Sequence, residues 1–312
     1  MNAPKLSVVI CTHNPRAAFM TRTLDGLRAQ SLDALQWELI VIDNASTPPL
    51  GDDLAWHPRG RIVREEKLGL THARLRAIRE TGSDLLVLVD DDNVLAPDYL
   101  ERALAISHQW PILGAWGGQC VPEFEETPAE WTRSFWNWIA IREFDADRWS
   151  NIPGDQGAAP CGAGMCVRRN VARAYVERLE RDPARRSLDR TGGHLFGGGD
   201  TDLAMTACDL GLGNGLFAAL KLTHIIPKTR LEEGYLLNLV RSMTYSATML
   251  DFFRGRTPSR LSRSQRLLKW WEVRHIAGRD RRFENARREG GDAAIRDMER
   301  MKAGREPLGL SR

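Results

Sequence analysis

The sequence predicts an α/β fold, with a mainly parallel central sheet flanked by helices and a helical C-terminal extension. Three observations carry that expectation. Short apolar runs alternate with helix-period segments over the first 110 residues. Oxygen-rich clusters stand directly after three of those runs. From Gly255 onward Lys and Arg total 16 against 8 Asp and Glu, a composition unlike that of the preceding chain.

The elements follow in order. Leu6 to Cys11 is short, apolar and β-branched, as a buried strand is. Ala17 to Gln30 is helix-like, with Phe19, Leu24 and Leu27 spaced for one face. Trp37 to Ile42 is a second strand ending at Asp43, and Arg61 to Arg64 a weaker third. Leu70 to Glu80 is a helix stopped by Gly82. Leu85 to Val89 is a fourth strand that runs into Asp90-Asp91-Asp92. Pro97 to Trp110 is a helix with proline in its first turn. The middle, roughly 111–230, is less regular. Trp110, Trp116, Trp131, Trp136, Trp138 and Trp149 crowd together there, ahead of two glycine-rich runs. Asp202 to Leu210 is expected to be helical, Gly215 to Ile226 extended, and Leu231 to Phe253 helical and apolar on more than one face. The expected division is one domain over 1–230, in halves 1–110 and 111–230, and a basic helical extension over 231–312.

Composition excludes several classes. A net charge of +3 is too small to argue for nucleic acid, and no recognised motif accompanies the basic residues. Five cysteines without a CxxC pair indicate neither a zinc site nor a disulfide framework, which fits a reducing cytoplasm. With a strand-like run almost at the start, no signal peptide is expected, and no apolar stretch approaches the roughly 20 residues that span a bilayer. The expected location is cytoplasmic, or peripheral at the inner face of the membrane.

Sheets of this kind bind ligands beyond the carboxyl ends of their strands. Three such ends carry groups suited to a nucleotide: Thr12-His13-Asn14, Asp43-Asn44 and Asp90-Asp91-Asp92. Three adjacent carboxylates repel one another, and their placement at the end of a buried strand is costly without a cation or hydrogen-bond donors. Oxygen ligands suit Mg²⁺ or Mn²⁺ held together with a diphosphate. Strand alternation puts Asp90 and Asp92 on one side and Asp91 on the other.

Four stretches together, Val8 to Asn14, Glu38 to Ser46, Leu68 to Arg74 and Val87 to Asp92, resemble the family 2 glycosyltransferases of the GT-A (Rossmann-like) fold. The resemblance runs from about Leu6 to Arg230. It implies an inverting, metal-dependent transfer of a sugar from a nucleoside-diphosphate sugar to an acceptor hydroxyl, in polysaccharide, glycolipid or other glycoconjugate biosynthesis. Residues 1–110 become the nucleotide-binding half and 111–230 the acceptor-binding half.

The implied roles are specific. Thr12, Asn14, Asp43, Arg74, Asp90 and Asp91 serve the donor nucleotide, with Asp43 at the base and Asp90 at the ribose, while the part of Asp91 stays open. Asp92 and His224 serve Mg²⁺ or Mn²⁺, and Lys228 and Arg230 can meet phosphate charge. Asp200 is the general base, with Asp202 as the alternative. The family places a Glu before that Asp, and this chain has Gly199. Gly162, Ala163, Gly164 and Met165 resemble the segment under the acceptor sugar, and Asp189 to His194 is expected to contribute to the acceptor site.

Two other readings stand beside this one: a sugar-phosphate nucleotidyltransferase, and a non-catalytic glycosyltransferase-like binding protein. The first lacks a glycine-rich phosphate loop after the first strand. The partners implied are a nucleoside-diphosphate sugar donor and a sugar or lipid-linked acceptor. In the extension Met243, Leu250, Phe252, Phe253, Leu267, Leu268, Trp270 and Trp271 lie among many arginines. That pattern fits packing on the core, homodimer formation or contact with an anionic membrane surface.

Overall fold

Apolar residues on both faces of successive strands produce a sheet that must be covered twice. The computed structural model describes residues 3–51, 54–191, 194–257 and 278–310, and eight positions between 262 and 276. The chain divides into two compact units, Met1–Ala184 with Gly199–Lys228 and Arg185–Gly198 with Thr229–Arg312.

The first unit is built on β1 (Leu6–Thr12), β2 (Trp37–Asn44), β3 (Gly60–Glu65), β4 (Leu85–Val89), β5 (Asn93–Leu95), β6 (Leu113–Phe124), β7 (Arg148–Ser150), β8 (Cys166–Arg168) and β11 (Gly213–Ile226). Their order is β3-β2-β1-β4-β8-β6-β11-β5, with β7 also on β11. Strands β1 to β4 pair parallel, as do β6 and β11, while β8 runs antiparallel between β4 and β6. Val8 stands opposite Leu39 and Val87, so one layer of the core passes through three strands.

Alternation along the strands separates two cores. Val8, Ile10, Val41, Val87 and Val89 meet α1 (Ala17–Arg28) and α3 (Tyr99–Gln109) through Leu24, Leu27, Leu100 and Ala103. Val9, Ile40, Ile42, Leu86 and Leu88 face the other way. They are covered by α2 (Leu70–Glu80), α4 (Arg169–Arg181) and α5 (Gly199–Asp209).

Several elements go beyond the sequence expectation, among them β6 and α4. Strand β6 lies in the stretch that glycines and tryptophans made irregular, because Trp116 and Cys120 are core residues and Gly117 and Gly118 let neighbours close in. Helix α4 carries seven charged or amide residues, yet Val171, Ala172, Tyr175 and Leu179 form a buried stripe at helical spacing. Helix α5 starts at Gly199, three residues before the expected Asp202.

The second unit joins a hairpin to two helices. Its strands β9 (Asp189–Thr191) and β10 (His194–Gly197) pair antiparallel, and Gly192-Gly193 of the expected acceptor segment lie outside the described residues. Helix α6 (Glu233–Phe253) packs on β10 and on α7 (Gly278–Lys302). The Phe196 and Tyr245 rings stack at 5.1 Å. Asp297, buried on α7, accepts from Tyr245 Oη at 2.7 Å and from the amides of Leu308 and Gly309, each at 2.8 Å. Leu250 is buried, whereas Leu267, Leu268 and Trp271 are exposed and Trp270 lies outside the described residues. No helix among the described residues is long and apolar enough to cross a membrane.

Candidate active site

The acidic run is a turn, not the continuation of a strand. Strand β4 ends at Val89 and β5 begins at Asn93, so Asp90, Asp91 and Asp92 join the two. Strict alternation therefore does not apply. The amide of Asp90 donates to Asn93 Oδ1 at 3.2 Å, and Asn93 N returns a bond to Asp90 O at 3.1 Å. This closes the turn. Asp91 accepts from Thr12 Oγ1 at the end of β1. Asp92 turns instead to β11, where its Oδ1 lies 3.5 Å from His224 Nε2, and it accepts from Asn93 Nδ2 at 3.0 Å.

The ends of β1 and β2 are tied into a floor. Asn14 takes a left-handed φ of 49° and accepts from Thr47 N at 2.8 Å, while its own amide donates to Ser46 Oγ at 2.9 Å. His13 Nδ1 donates to Asn44 O at 2.7 Å. Asn44 holds the β3–α2 connection through the Glu65 and Lys67 carbonyls and the Gly69 amide. Asp43 accepts from Ser46 N and Leu50 N at 3.1 Å each and from Arg64 Nη1 at 2.6 Å. Burial pushes the Asp43 carboxyl up, but its hydrogen-bond donors outweigh that and leave it below the usual carboxylate range.

Asp200 sits in the first turn of α5, where a helix favours negative charge. Its Oδ2 accepts from Gly162 N at 2.9 Å, and its Oδ1 is ion-paired with Arg74 Nη1. Its side chain remains 27% exposed, whereas Asp202 is fully buried. Only Asp200 of the two can meet an incoming molecule. Arg74 comes from α2 and is itself buried, so three segments distant in sequence meet at this carboxylate.

The segment Gly162 to Met165 is shaped by close approach. A Cβ at Gly162 would lie 2.4 Å from Asp200 Oδ2 and 2.9 Å from Arg74 Nη2. Gly164 has φ +73°, and a Cβ there would lie 2.5 Å from Tyr99 Oη, which donates to Gly164 O at 2.6 Å. Ala163 and Met165 are buried. The preceding Cys161 thiol feels the charges of both Asp200 and Asp90, each of which pushes it up.

Lys228 Nζ pairs with Glu126 at 3.1 Å on the surface, and Arg230 belongs to the second unit. Glu123 and Glu125 are held by Arg22 and Arg16. Trp116 is a core residue, and Trp110 and Trp136 pack on Phe217 and Phe124. The structure adds Arg64, Asn93 and Tyr99 as residues that hold the site, and gives Asn44 of the second strand end a bracing role. Asn44 and Asn93 adjoin the acidic motifs in the chain, so adjacency was a usable signal. Nothing local marks Arg64 or Tyr99.

Asp92 and His224 offer one carboxylate and one imidazole, both buried. Among the described residues no group of three or more His, Cys, Asp or Glu forms a metal cage. The pair fits a divalent cation that takes its other ligands from phosphate oxygens and water, as Mg²⁺ and Mn²⁺ do on a diphosphate.

A family model described as glycosyl transferase family 2 matches residues 7–171, more than half of the 312-residue chain. The chain belongs to glycosyl transferase family 2. This family 2 chain is 33% identical over 170 residues to an N-acetylglucosaminyltransferase of Rhizobium sp. (strain N33), covering 52% of this chain and 35% of that one. It is 36% identical over 115 residues to validoxylamine A glucosyltransferase of Streptomyces hygroscopicus subsp. jinggangensis, covering 35% and 27%. The chain thus spans well under half the length of these curated relatives. Among solved structures it is similar to a mannosyltransferase from Pyrobaculum calidifontis in complex with GDP-Man and Mn²⁺. That likeness has a TM-score of 0.53 at 18% identity, over 94% of this chain and 74% of that one, and shows a shared GT-A fold.

Proposed function

We propose that this family 2 chain transfers a sugar from a nucleoside-diphosphate sugar to an acceptor hydroxyl, with inversion at the anomeric carbon. The observation that carries the reading is Asp200: a part-exposed carboxylate at a helix N-terminus, oriented by Gly162 and Arg74.

Thr12, Asn14, Asp43, Asp90 and Asp91 line the nucleotide end. Asp43 orders the loop that follows β2, and a carboxylate has capacity for a further donor from the base. Asp92 and His224 would hold Mg²⁺ or Mn²⁺, which when bound neutralises charge on a departing diphosphate. Asp200 accepts the proton of the acceptor hydroxyl as that oxygen bonds to the anomeric carbon and the bond to the diphosphate oxygen breaks. One displacement gives one inversion. Arg74 fixes the orientation of the base, and its charge would serve the donor phosphates as well. Gly199, in place of the family Glu, leaves the base without a second acidic neighbour at that position.

Nucleoside-diphosphate sugars screened with Mn²⁺ by thermal shift identify the donor, since a ligand that binds only the folded state raises its stability by mass action. Transfer is then measured with that donor in the native chain and in Asp200→Asn. The expected result is a turnover lower by at least two orders of magnitude with donor affinity retained, and near-normal turnover in the variant sinks the assignment.

A further inference from the structure

Two thiols lie in contact directly behind the loop that orients Asp200. Cys120 is fully buried on β6, and Cys161 is partly exposed in the residue before Gly162. Their sulfurs are 3.7 Å apart, and each lies 3.9 Å from Ala163 O. Arg142 braces the same place. Its backbone exchanges bonds with Cys120 at 2.9 and 3.1 Å, and its Nη1 donates to Ala159 O at 2.6 Å. We propose that Cys120 and Cys161 form a peroxide-responsive thiol pair whose oxidation to a disulfide displaces the Gly162 amide from Asp200 and lowers transfer.

The parts have different tasks. Hydrogen bonding from Cys120 draws the Cys161 thiol below its usual range, and the Arg142 charge acts in the same direction, against burial and the charges of Asp200 and Asp90. The Cys120 thiol is pushed well up by that same bond and by burial. Cys161, the part-exposed thiol of the two, is the attacking sulfur, and the buried Cys120 is the resolving one. The Cys161 thiolate attacks one oxygen of hydrogen peroxide. The S–O bond forms, the O–O bond breaks, and hydroxide leaves. Cys120 then attacks the sulfenic sulfur, and the S–S bond forms as water departs. Two thiols and one peroxide give one disulfide and two waters, with sulfur oxidised by two electrons and peroxide reduced by two.

The geometry links this step to the site. A disulfide needs its sulfurs about 2.05 Å apart, so closure from 3.7 Å pulls on Cys161. The peptide nitrogen next along the chain is the one that donates to Asp200 at 2.9 Å. Backbone from Ala159 to Cys161 has little slack, because Arg142 Nη1 holds Ala159 O. The link to transfer rests on the reading of Asp200 as the base; the thiol chemistry does not.

The experiment treats the full chain with graded hydrogen peroxide, blocks residual thiols with N-ethylmaleimide and maps peptides by mass spectrometry. Expected is a loss of 2 Da (about, for two hydrogens) in linked peptides holding Cys120 and Cys161. Transfer falls at least tenfold and recovers with dithiothreitol. In Cys120→Ala the reaction stops at a Cys161 sulfenic acid that dimedone labels, and Cys120→Ser serves if the alanine variant does not fold. Cys161 reacting no faster than the part-exposed Cys11 and Cys208 overturns the proposal. So does full disulfide formation with unchanged transfer. If the disulfide forms in a chain that shows no transfer even when reduced, the thiol pair stands and the reading of Asp200 fails.

Discussion

The amide of Gly162 donates to Asp200 Oδ2 at 2.9 Å across 38 residues of sequence. With Arg74 on the other carboxylate oxygen, this fixes the group on which the proposed chemistry depends. The space for that carboxylate exists because residue 162 has no side chain, a Cβ there falling 2.4 Å from Oδ2.

Gly162→Ala therefore forces Asp200 to move while leaving both sheet cores untouched. Turnover is expected to fall by tenfold or more, with the melting temperature within a few degrees of the native protein. Steady-state kinetics beside calorimetry check this. A native turnover in the alanine variant separates the Gly162 bond from catalysis.

Asp92 and His224 face each other at 3.5 Å. Mn²⁺ added with a nucleoside diphosphate is expected to raise the melting temperature of the native chain beyond the diphosphate alone. In His224→Ala or Asp92→Asn that increment disappears, while any metal-free shift from the nucleotide persists. The readout is binding, so it stands apart from turnover. An undiminished increment in both variants places the metal elsewhere.

Acid sensitivity has a marked contributor in His57, which packs on Trp37 at 4.2 Å between ring centroids and accepts from Arg59 N at 3.1 Å. Burial, aided by the Arg59 charge, holds its imidazole down to about 4 from the usual 6.5. The unfolded chain binds the proton near 6.5 and the folded chain only near 4, so between those values the unfolded state carries more protons. Stability is thus lost as pH falls from 6.5 toward 4, and the loss levels off below that window. His57→Phe keeps an aromatic ring and removes the proton site. Urea midpoints measured from pH 7 to pH 4 should fall less in the variant, and equal slopes would assign the acid loss to other groups.

In the second unit, Asp297 is a buried carboxylate satisfied by one hydroxyl and two amides. Tyr245→Phe removes the hydroxyl donor and is expected to cost about 2 kcal/mol, in the range for hydrogen bonds to charged groups. Asp297→Ala also releases the amides of Leu308 and Gly309. Hydrogen exchange there should accelerate in Asp297→Ala and far less in Tyr245→Phe. Slow exchange in both variants shows that other contacts hold these residues.

Much of this was legible in the sequence because it is local. Apolar period and β-branching set β1, β2, β4 and the first three helices, since strands buried on both faces have almost no other composition available. The acidic run stood out as the place now proposed for a cation and a diphosphate, because three adjacent carboxylates at a strand end demand compensation. The family followed from four short stretches in order. Helix α4 was also readable, from Val171, Tyr175 and Leu179 at intervals of four, beneath a charged surface that masks the stripe.

What only the tertiary structure decided is which residues meet. It turned Asp91 to Thr12 and Asp92 to His224, because the run is a turn where strand alternation does not operate. It separated Asp200 from Asp202 by exposure and gave Asp200 its partners from α2 and from the 162–165 loop. It set Cys120 against Cys161, though neither shows any pairing motif in the chain. The physical reason is the same in each case. Period and composition report what one segment needs, burial or solvent, whereas a contact between distant segments depends on how sheet order and helix packing bring their ends together.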